Sequence, residues 1–261
     1  MSSFKRPKVI HTLLEGRTFF EFSASTLSLP FLLRAPTGPR HGVMVLPGFL
    51  ASDTSTAAMR RFLKMKGYQV EGWKLGRNLG QHLENSSRLI NDVLLERVLD
   101  FYRDSEGPVS LIGWSLGGIL AREVARLMPE QVRQVITLGS PFQSPQSAAP
   151  MAARMFRFLN RKRISKDFSV PPQVKEKLIV PCTAIYSKTD GIAHWHGCRH
   201  HDIHPNERAE NIEVKASHLG YGHHPGVLWL IAKRLSMPAE SWQPIPSDEL
   251  PIWLYPRTEH P

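Results

Sequence analysis

The chain is poor in cysteine and has no apolar run long enough to cross a membrane. Its 261 residues include two cysteines, Cys182 and Cys198, which are too few for the disulfide framework of a small secreted domain. We expect two reduced thiols, with a bridge between them as the alternative. No apolar run approaches the roughly 18 residues of a membrane-spanning helix, and the N-terminus lacks the apolar stretch of a signal peptide. These absences favour a cytoplasmic protein.

Acidic residues are outnumbered, because 33 Lys and Arg face 23 Asp and Glu, a net charge of +10. No RNP, zinc-finger or helix-turn-helix signature accompanies that charge, so we expect no nucleic-acid partner. An excess of positive charge favours anionic partners, and a transient contact with lipid or another anionic surface stays open. Internal repeats and low-complexity segments are also lacking, and we expect one domain over residues 1–261.

Apolar, β-rich runs alternate with helical patterns along the chain. The predicted strands and helices are, in order, strand 41–46, helix 55–67, strand 68–73, helix 82–104, strand 108–113, helix 116–129, strands 133–139, 178–187 and 211–217, and helix 224–236. This alternation predicts an α/β fold with a mostly parallel central sheet and helices on both faces. In such sheets ligands bind at the carboxyl ends of the strands.

Residues 142–177 interrupt the alternation and are predicted to form a small helical cap, or lid, within the domain. Four apolar side chains of this segment recur at helical spacing: Met151, Met155, Phe158 and Leu159. The simplest interpretation is a surface helix packed on the sheet. The alternatives are a lid whose apolar face covers an acyl-binding cleft and a helix that touches a membrane surface.

A serine enclosed by glycines is the strongest chemical signal in the chain. The stretch LIGWSLGG (111–118) contains G-x-S-x-G, with a predicted strand before it and a predicted helix after it. That setting is the one a nucleophile elbow requires. In such a turn the backbone of Ser115 would be strained and its hydroxyl would project beyond the end of the sheet. Side chains at Gly113 and Gly117 would collide with neighbouring elements. We therefore expect Ser115 to be a nucleophile.

A serine nucleophile needs a base beside it, and the chain offers twelve histidines. His218 directly follows a predicted strand and so lies at the carboxyl end of the sheet, whereas His223 and His224 open the next helix. Five other histidines belong to one polar loop. His218 is therefore the predicted base.

The base in turn needs a carboxylate that fixes its tautomer and stabilises the imidazolium. Asp190 directly follows another predicted strand, and the chain order Ser, Asp, His is the order of this fold type. Asp202, in the middle of a loop, is the alternative acid, and Asp190 itself also suits an ordinary turn before a glycine. Asp190 is the predicted acid.

Acyl transfer also needs N–H donors for the tetrahedral oxyanion. The expected donors are the backbone N–H of Leu116, directly after the nucleophile, and that of Phe49 in the loop after the first strand, with Leu50 as the fallback. The side chains predicted to contact an acyl substrate are those of Trp114, Leu50, Met155 and Phe158.

The loop HWHGCRHH (194–201) is dense in histidine and cysteine. Such density is compatible with a transition-metal site, but the spacing matches no standard zinc pattern and the loop follows the predicted acid. We interpret it as a solvated loop, and we expect neither a metal nor a cofactor.

Taken together, the motifs resemble those of the α/β-hydrolase superfamily, and more narrowly of bacterial esterase/lipase-like serine hydrolases. The motifs that carry the resemblance are, in order, PGFLASD, GWKLGRNLG, GWSLGG, LGSPF, YSKTDGI and SHLGYGHHPGVL, over roughly residues 20–245. The resemblance implies the same Ser115, Asp190 and His218 triad. Within GRNLG, Arg77 and Asn78 are interpreted as bracing the loops beside the oxyanion site, although ordinary loop packing is the simpler interpretation.

The oxyanion loop reads PGF where many relatives carry a histidine before the glycine, which bears on the identity of the donating N–H. The leading functional hypothesis is hydrolysis of a small-molecule carboxylic ester through an acyl-Ser115 intermediate. The alternatives are an acyltransferase or thioesterase with the same triad, and a hydrolase-like binding protein without turnover. A lid favours medium acyl chains over acetate. The sequence does not indicate the physiological substrate or the oligomeric state.

Overall fold

A computed structural model describes residues 6–84, 89–105, 107–144, 147–162, 175–205, 207–246, 249 and 255. Six parallel strands form one sheet with the order β2-β1-β3-β4-β5-β6. The strands are β1 (Gly42–Leu46), β2 (Gln69–Gly72), β3 (Val109–Trp114), β4 (Val132–Leu138), β5 (Cys182–Tyr186) and β6 (Ala209–Glu213). All six positions predicted to be strands therefore carry one.

The helices are α1 (Val9–Leu13), α2 (Thr18–Leu27), α3 (Leu29–Leu33), α4 (Ala57–Met65), α5 (Asp92–Asp104), α6 (Leu116–Leu127), α7 (Pro150–Asn160) and α8 (Pro225–Ser236). Short 3-10 helices span Leu14–Arg17, Asp53–Thr56 and Trp195–Cys198. Within the described residues, no helix combines the length and the apolar character needed to cross a bilayer.

The sheet is covered on both faces, as its apolar strands predict. Alternate residues of β1 enter two separate cores: Val43 and Val45 pack with side chains of α4 and α8, whereas Met44 and Leu46 pack with those of α5 and α6. Successive side chains of a strand point to opposite faces, and β1, β3 and β5 are buried along their whole length. The predicted α/β-hydrolase fold class is confirmed.

The helix predicted to begin at residue 82 begins only at Asp92. Leu83 and Ile90 instead form an isolated antiparallel bridge, and the side chain of Asn91 caps the helix by accepting the N–H of Leu94 at 3.4 Å. Asparagine is a strong N-terminal cap because its side-chain oxygen satisfies an otherwise free N–H of the first turn. The cap at Asn91 therefore sets the first residue of the helix, which the apolar pattern alone had placed at residue 82.

The cap predicted over residues 142–177 is described only in part, since residues 145–146 and 163–174 lie outside the described residues. Its helix α7 exposes the apolar stripe that was expected to face the sheet: Met151 is 80% exposed and Phe158 61%. The opposite side of α7 faces the body of the protein, because Asn160 is buried and Phe156 packs on Phe49 with ring centroids 5.4 Å apart. The interpretation of that stripe as a packing face is thus wrong. A covering role over a cleft stays a prediction.

Residues 6–34 form three helices and a 3-10 turn that the sequence analysis did not predict. This N-terminal segment lies against α8, where Phe31 stacks on Trp229 with ring centroids 6.3 Å apart. It also reaches the carboxyl edge of the sheet, because Thr12 Oγ1 donates to the carbonyl of Gly191 at 2.7 Å. The segment therefore borders the loops that follow β5 and β6.

Candidate active site

Ser115 occupies a sharp turn between β3 and α6. Its backbone has φ 53° and ψ −120°, a conformation that costs a non-glycine residue free energy and is concentrated at functional sites. A Cβ atom at Gly113 would lie 2.3 Å from the Cα of Gly118, and one at Gly117 would lie 2.4 Å from the carbonyl oxygen of Leu46. The turn is therefore strained as predicted, and a side chain at either glycine would collide with a neighbouring element as predicted.

Asp190 follows β5 and is held by the backbone of its own turn. Its Oδ1 accepts the N–H groups of Ile192 at 2.8 Å and Ala193 at 2.7 Å. Its Oδ2 lies 2.7 Å from Nδ1 of His218, and both side chains are almost fully buried. The two loops after β5 and β6 thus bring together the predicted acid and the predicted base, which are 28 positions apart in sequence.

The protonation of His218 reflects two opposed effects. Burial disfavours the charged imidazolium, but the Asp190 carboxylate, and to a smaller extent that of Glu15, favour it. The carboxylates outweigh burial, so the pKa of His218 is raised above its ordinary value. A neighbouring negative charge stabilises the cation in this way whether it is formed by titration or during a reaction.

Trp114, a predicted substrate contact, is 6% exposed as a residue, and that contact stays a prediction. Its Nε1 donates to the backbone carbonyl of His218 at 3.0 Å, so the indole holds the loop that carries His218. The edge of the Tyr221 ring faces His218, with ring centroids 6.0 Å apart. The Trp114 contact therefore holds the backbone of His218, and the Tyr221 ring lies beside its imidazole.

The loop after β1 passes directly beside Ser115, because a Cβ at Gly48 would lie 3.2 Å from the Cβ of Ser115. The N–H of Leu50 donates to the carbonyl of Asn78 at 2.7 Å, so the fallback oxyanion donor is already engaged. The N–H groups of Phe49 and Leu116 have no acceptor within the part of the chain that is described. Their assignment as the oxyanion donors stays a prediction.

The GRNLG segment braces this loop. The buried side chain of Asn78 donates to the carbonyl of Pro47 at 2.8 Å, and the backbone N–H of Asn78 donates to the carbonyl of Ala51 at 2.8 Å. Arg77 Nη1 donates to the carbonyl of Leu50 at 2.8 Å. The predicted bracing by Arg77 and Asn78 is therefore present in the contacts.

The N-terminal segment contributes a buried carboxylate that the sequence analysis missed. Glu15 Oε1 accepts the N–H of Gly191 at 2.8 Å and that of His218 at 3.0 Å, while Oε2 accepts the N–H of Leu219 at 3.0 Å. Glu21 accepts the N–H of Ser217 at 2.8 Å and also binds its hydroxyl. Glu15 and His218 are 203 positions apart, so no local pattern could have linked them.

The remaining candidates lie away from this cluster. Asp202 is exposed, and it is the carboxylate of Asp190 that lies beside His218. The loop 194–201 is not simply solvated, because Cys198 is 1% exposed and Trp195 stacks on Tyr186 with ring centroids 6.0 Å apart. Cys182 and Cys198 are both free thiols, and across the described ranges no group of three or more His, Cys, Asp or Glu side chains could hold a metal ion.

Comparison with known proteins bears on the fold. The sequence model of the PGAP1-like alpha/beta domain family matches residues 74–193, and no curated protein sequence matches the chain. A pyrethroid hydrolase from Sphingobium faniae JZ-2 is similar in structure, with a TM-score of 0.52 at 18% identity over 77% of this chain and 100% of that one. Aspergillus fumigatus lipase B has a TM-score of 0.51 at 15% identity, over 77% of this chain and 53% of its own.

Proposed function

We propose that this chain, which has the α/β-hydrolase fold, is a serine hydrolase of small-molecule carboxylic esters. The observation that carries the proposal is a strained serine turn at the end of β3, at the same edge of the parallel sheet where a buried histidine is held 2.7 Å from a carboxylate. The similar structures, those of a pyrethroid hydrolase and a lipase, are consistent with it.

In the proposed reaction, His218 Nε2 takes the proton of the Ser115 hydroxyl as Oγ attacks the ester carbonyl carbon. The N–H groups of Phe49 and Leu116 receive the negative charge that develops on the carbonyl oxygen. His218 then gives its proton to the departing alkoxide, which leaves as the alcohol. Water then attacks the carbonyl carbon of acyl-Ser115 while His218 takes one of its protons. His218 gives that proton to Ser115 Oγ as the C–O bond to the serine breaks, so the carboxylic acid leaves and the serine hydroxyl is restored.

Asp190 supports both steps because its carboxylate faces Nδ1 of His218 and leaves Nε2 for the serine. Met155 and Phe158 lie on the exposed side of α7, so the proposal that they contact a medium-length acyl chain requires this helix to turn toward Ser115. A panel of p-nitrophenyl esters tests that part of the proposal, with highest kcat/KM expected above acetate. Highest activity on acetate would count against it.

A fluorophosphonate probe tests the nucleophile directly, because it phosphonylates an activated serine and releases fluoride. Peptide mapping is expected to find the label on Ser115 alone. The Ser115→Ala variant should not label, and it should lose at least about 10³-fold in kcat/KM. Ser236→Ala, which changes a hydroxyl at the end of α8, is the matched control and should label like the wild type. Label elsewhere, or none on a folded wild type, contradicts the proposal.

The pH dependence of the reaction follows from the raised pKa of His218. Only the neutral imidazole can take the serine proton, so kcat/KM should rise with pH through a midpoint above the ordinary histidine value of about 6.5. Steady-state kinetics from acid to neutral pH measures this midpoint. A midpoint below the ordinary value contradicts the assigned environment of His218.

A further inference from the structure

We propose that the N-terminal segment, residues 6–34, is a positioning element for His218 and that Glu15 is its central residue. The inference rests on the proposed function, but its test below does not depend on turnover. One carboxylate receives N–H groups from the turn after Asp190 and from the turn that carries His218. Glu15 thereby joins the acid loop to the base loop through hydrogen bonds additional to the Asp190–His218 contact.

The fit between the segment and these loops is close at two independent points. A Cβ at Gly191 would lie 2.4 Å from the carbonyl oxygen of His11. A Cβ at Gly220 would approach Glu21 Oε2 within 1.7 Å. The loop after β5 therefore needs glycine where the backbone of the segment passes, and a side chain at position 220 would displace the Glu21 carboxylate from the loop after β6.

Further polar contacts hold the segment in the same place. Arg17 Nη2 donates to the carbonyl of Thr189 at 3.1 Å and to its hydroxyl at 2.8 Å, and Arg17 pairs with Glu21. Glu21 in turn binds the residue that precedes His218. The segment is thus anchored near Glu15 to both loops, so the Glu15 carboxylate is preorganised toward them.

Glu15 also acts on the charge of His218. The titratable groups that face the imidazole are Asp190 from the loop after β5, Glu15 from the segment and Tyr221 from the histidine's own loop. Removing the charge of Glu15 takes away one of the effects that favour the imidazolium. The imidazolium forms in each step of the proposed reaction, so a positioning residue of this kind affects both the rate and the pH at which His218 titrates.

The variant Glu15→Gln keeps the size of the side chain and removes its charge. We expect kcat to fall by on the order of tenfold, since one N–H loses its acceptor, with KM little changed. The acidic limb of the kcat/KM profile should move to lower pH because the imidazolium is less stabilised. Glu96→Gln, an exposed glutamate of α5, is the matched control and should behave like the wild type.

A second readout separates this proposal from the proposed function. The imidazole titration of His218, followed by NMR and assigned by its loss in His218→Asn, should also shift to lower pH in Glu15→Gln whether or not an ester is cleaved. A shift without turnover in the wild type upholds the positioning role and rejects the hydrolase. An unmoved titration, or a fall in kcat without any shift, reduces Glu15 to a structural role and overturns the proposal.

The variant Glu15→Asp serves where Glu15→Gln fails to fold. Aspartate keeps the charge but is one methylene shorter, so it cannot reach both loops at once. We expect the titration of His218 to stay near that of the wild type and kcat to fall. A kcat equal to that of the wild type would overturn the proposal.

The outward side of the same segment carries a second inference from a different observation. We infer that this outer face binds an anionic lipid surface. The outer face is defined by five apolar side chains that are 73–83% exposed: Val9, Leu13, Phe19, Phe20 and Leu27. Concentrated exposure of large apolar side chains marks an interaction surface, and helices with such a face lie in the headgroup region of a bilayer.

The charges of the segment select the partner. Its two acidic residues, Glu15 and Glu21, both turn inward to the active-site loops, whereas Arg6, Lys8 and Arg34 are exposed. The outside of the segment is therefore apolar and positive. A second copy of a chain with net charge +10 is repelled, while anionic headgroups are attracted to such a surface.

Sedimentation with vesicles tests this surface. The full chain should sediment with vesicles of phosphatidylcholine mixed with phosphatidylglycerol, less with phosphatidylcholine alone, and less at high salt. The double variant Phe19→Ser and Phe20→Ser should lose at least about tenfold in vesicle binding. Ile179→Ser, which alters an apolar side chain 76% exposed outside the segment, is the control and should bind normally.

Three outcomes overturn the lipid assignment. The wild type fails to bind either vesicle, or both variants lose binding alike. The third is a dimer in light scattering that the double variant dissociates while vesicle binding is absent, which identifies the face as a contact between copies of this chain.

Discussion

The central sheet and the N-terminal segment meet at the active-site loops but are built in opposite ways. The sheet buries its apolar side chains completely along β1, β3 and β5 and presents polar groups where its strands end. The segment leaves Phe19 and Phe20 largely exposed and turns Glu15 and Glu21 inward. The sheet is thus held together by apolar burial, whereas the segment is attached to the loops by charged and polar contacts.

This difference separates stability from positioning. Apolar burial is the dominant favourable contribution to folding, so changes in the sheet should affect the whole protein. Hydrogen bonds to a buried carboxylate contribute less to stability but fix geometry. Changes in the segment should therefore alter the behaviour of His218 with a smaller effect on folding.

Asp190→Asn should give the largest effect on activity. The amide cannot stabilise the imidazolium and favours the wrong tautomer of His218, so kcat should fall by about 10⁴-fold. Glu15→Gln is expected to lose only about tenfold in kcat. Comparing the two variants therefore shows how much the carboxylate that follows β5 and the carboxylate of the N-terminal segment each contribute to kcat. Equal losses in the two variants, measured by steady-state kinetics, would remove the distinction between them.

Leu111→Ala tests the buried side of the comparison. Leu111 lies in the centre of β3 and is 0% exposed. Replacing a buried leucine by alanine removes apolar contacts and leaves a cavity, so the free energy of unfolding should fall by about 2–5 kcal/mol. Urea denaturation followed by circular dichroism measures this loss, and a change below about 1 kcal/mol would contradict the described core.

Phe19→Ala should give the smallest effect on stability. Its side chain is 76% exposed, so the free energy of unfolding should change by no more than about 0.5 kcal/mol despite the loss of a large aromatic ring. The same denaturation experiment applies. A loss comparable to that of Leu111→Ala would show that the ring is buried in solution and would erase the contrast between the two regions.

The sheet and the core of the candidate site could be predicted because each depends on a local pattern. Ser115 is recognised from glycines at fixed spacing between a strand and a helix, and Asp190 and His218 from their position directly after apolar strands. Parallel topology then places the three strand ends along one edge. No contact between distant side chains had to be known beforehand.

Other features could not be predicted because they depend on contacts across the fold. The start of α5 at Asp92 was decided by a cap at Asn91 and a bridge between Leu83 and Ile90. The apolar stripe of α7 correctly predicted a helix, but periodicity does not determine which side of a helix packs against the protein. That side carries Phe156 and Asn160, which the periodicity did not single out.

The amino-acid sequence by itself determined the alternation of strands and helices and made Ser115, Asp190 and His218 the candidate catalytic residues, since burial period and turn chemistry depend on neighbouring residues. Only the tertiary structure decided that Glu15 joins the turns of Asp190 and His218. A carboxylate that accepts backbone N–H groups makes no demand on the side chains of its partners. Such a contact leaves no pattern in the sequence and exists only where the folded chain brings the groups within hydrogen-bond distance.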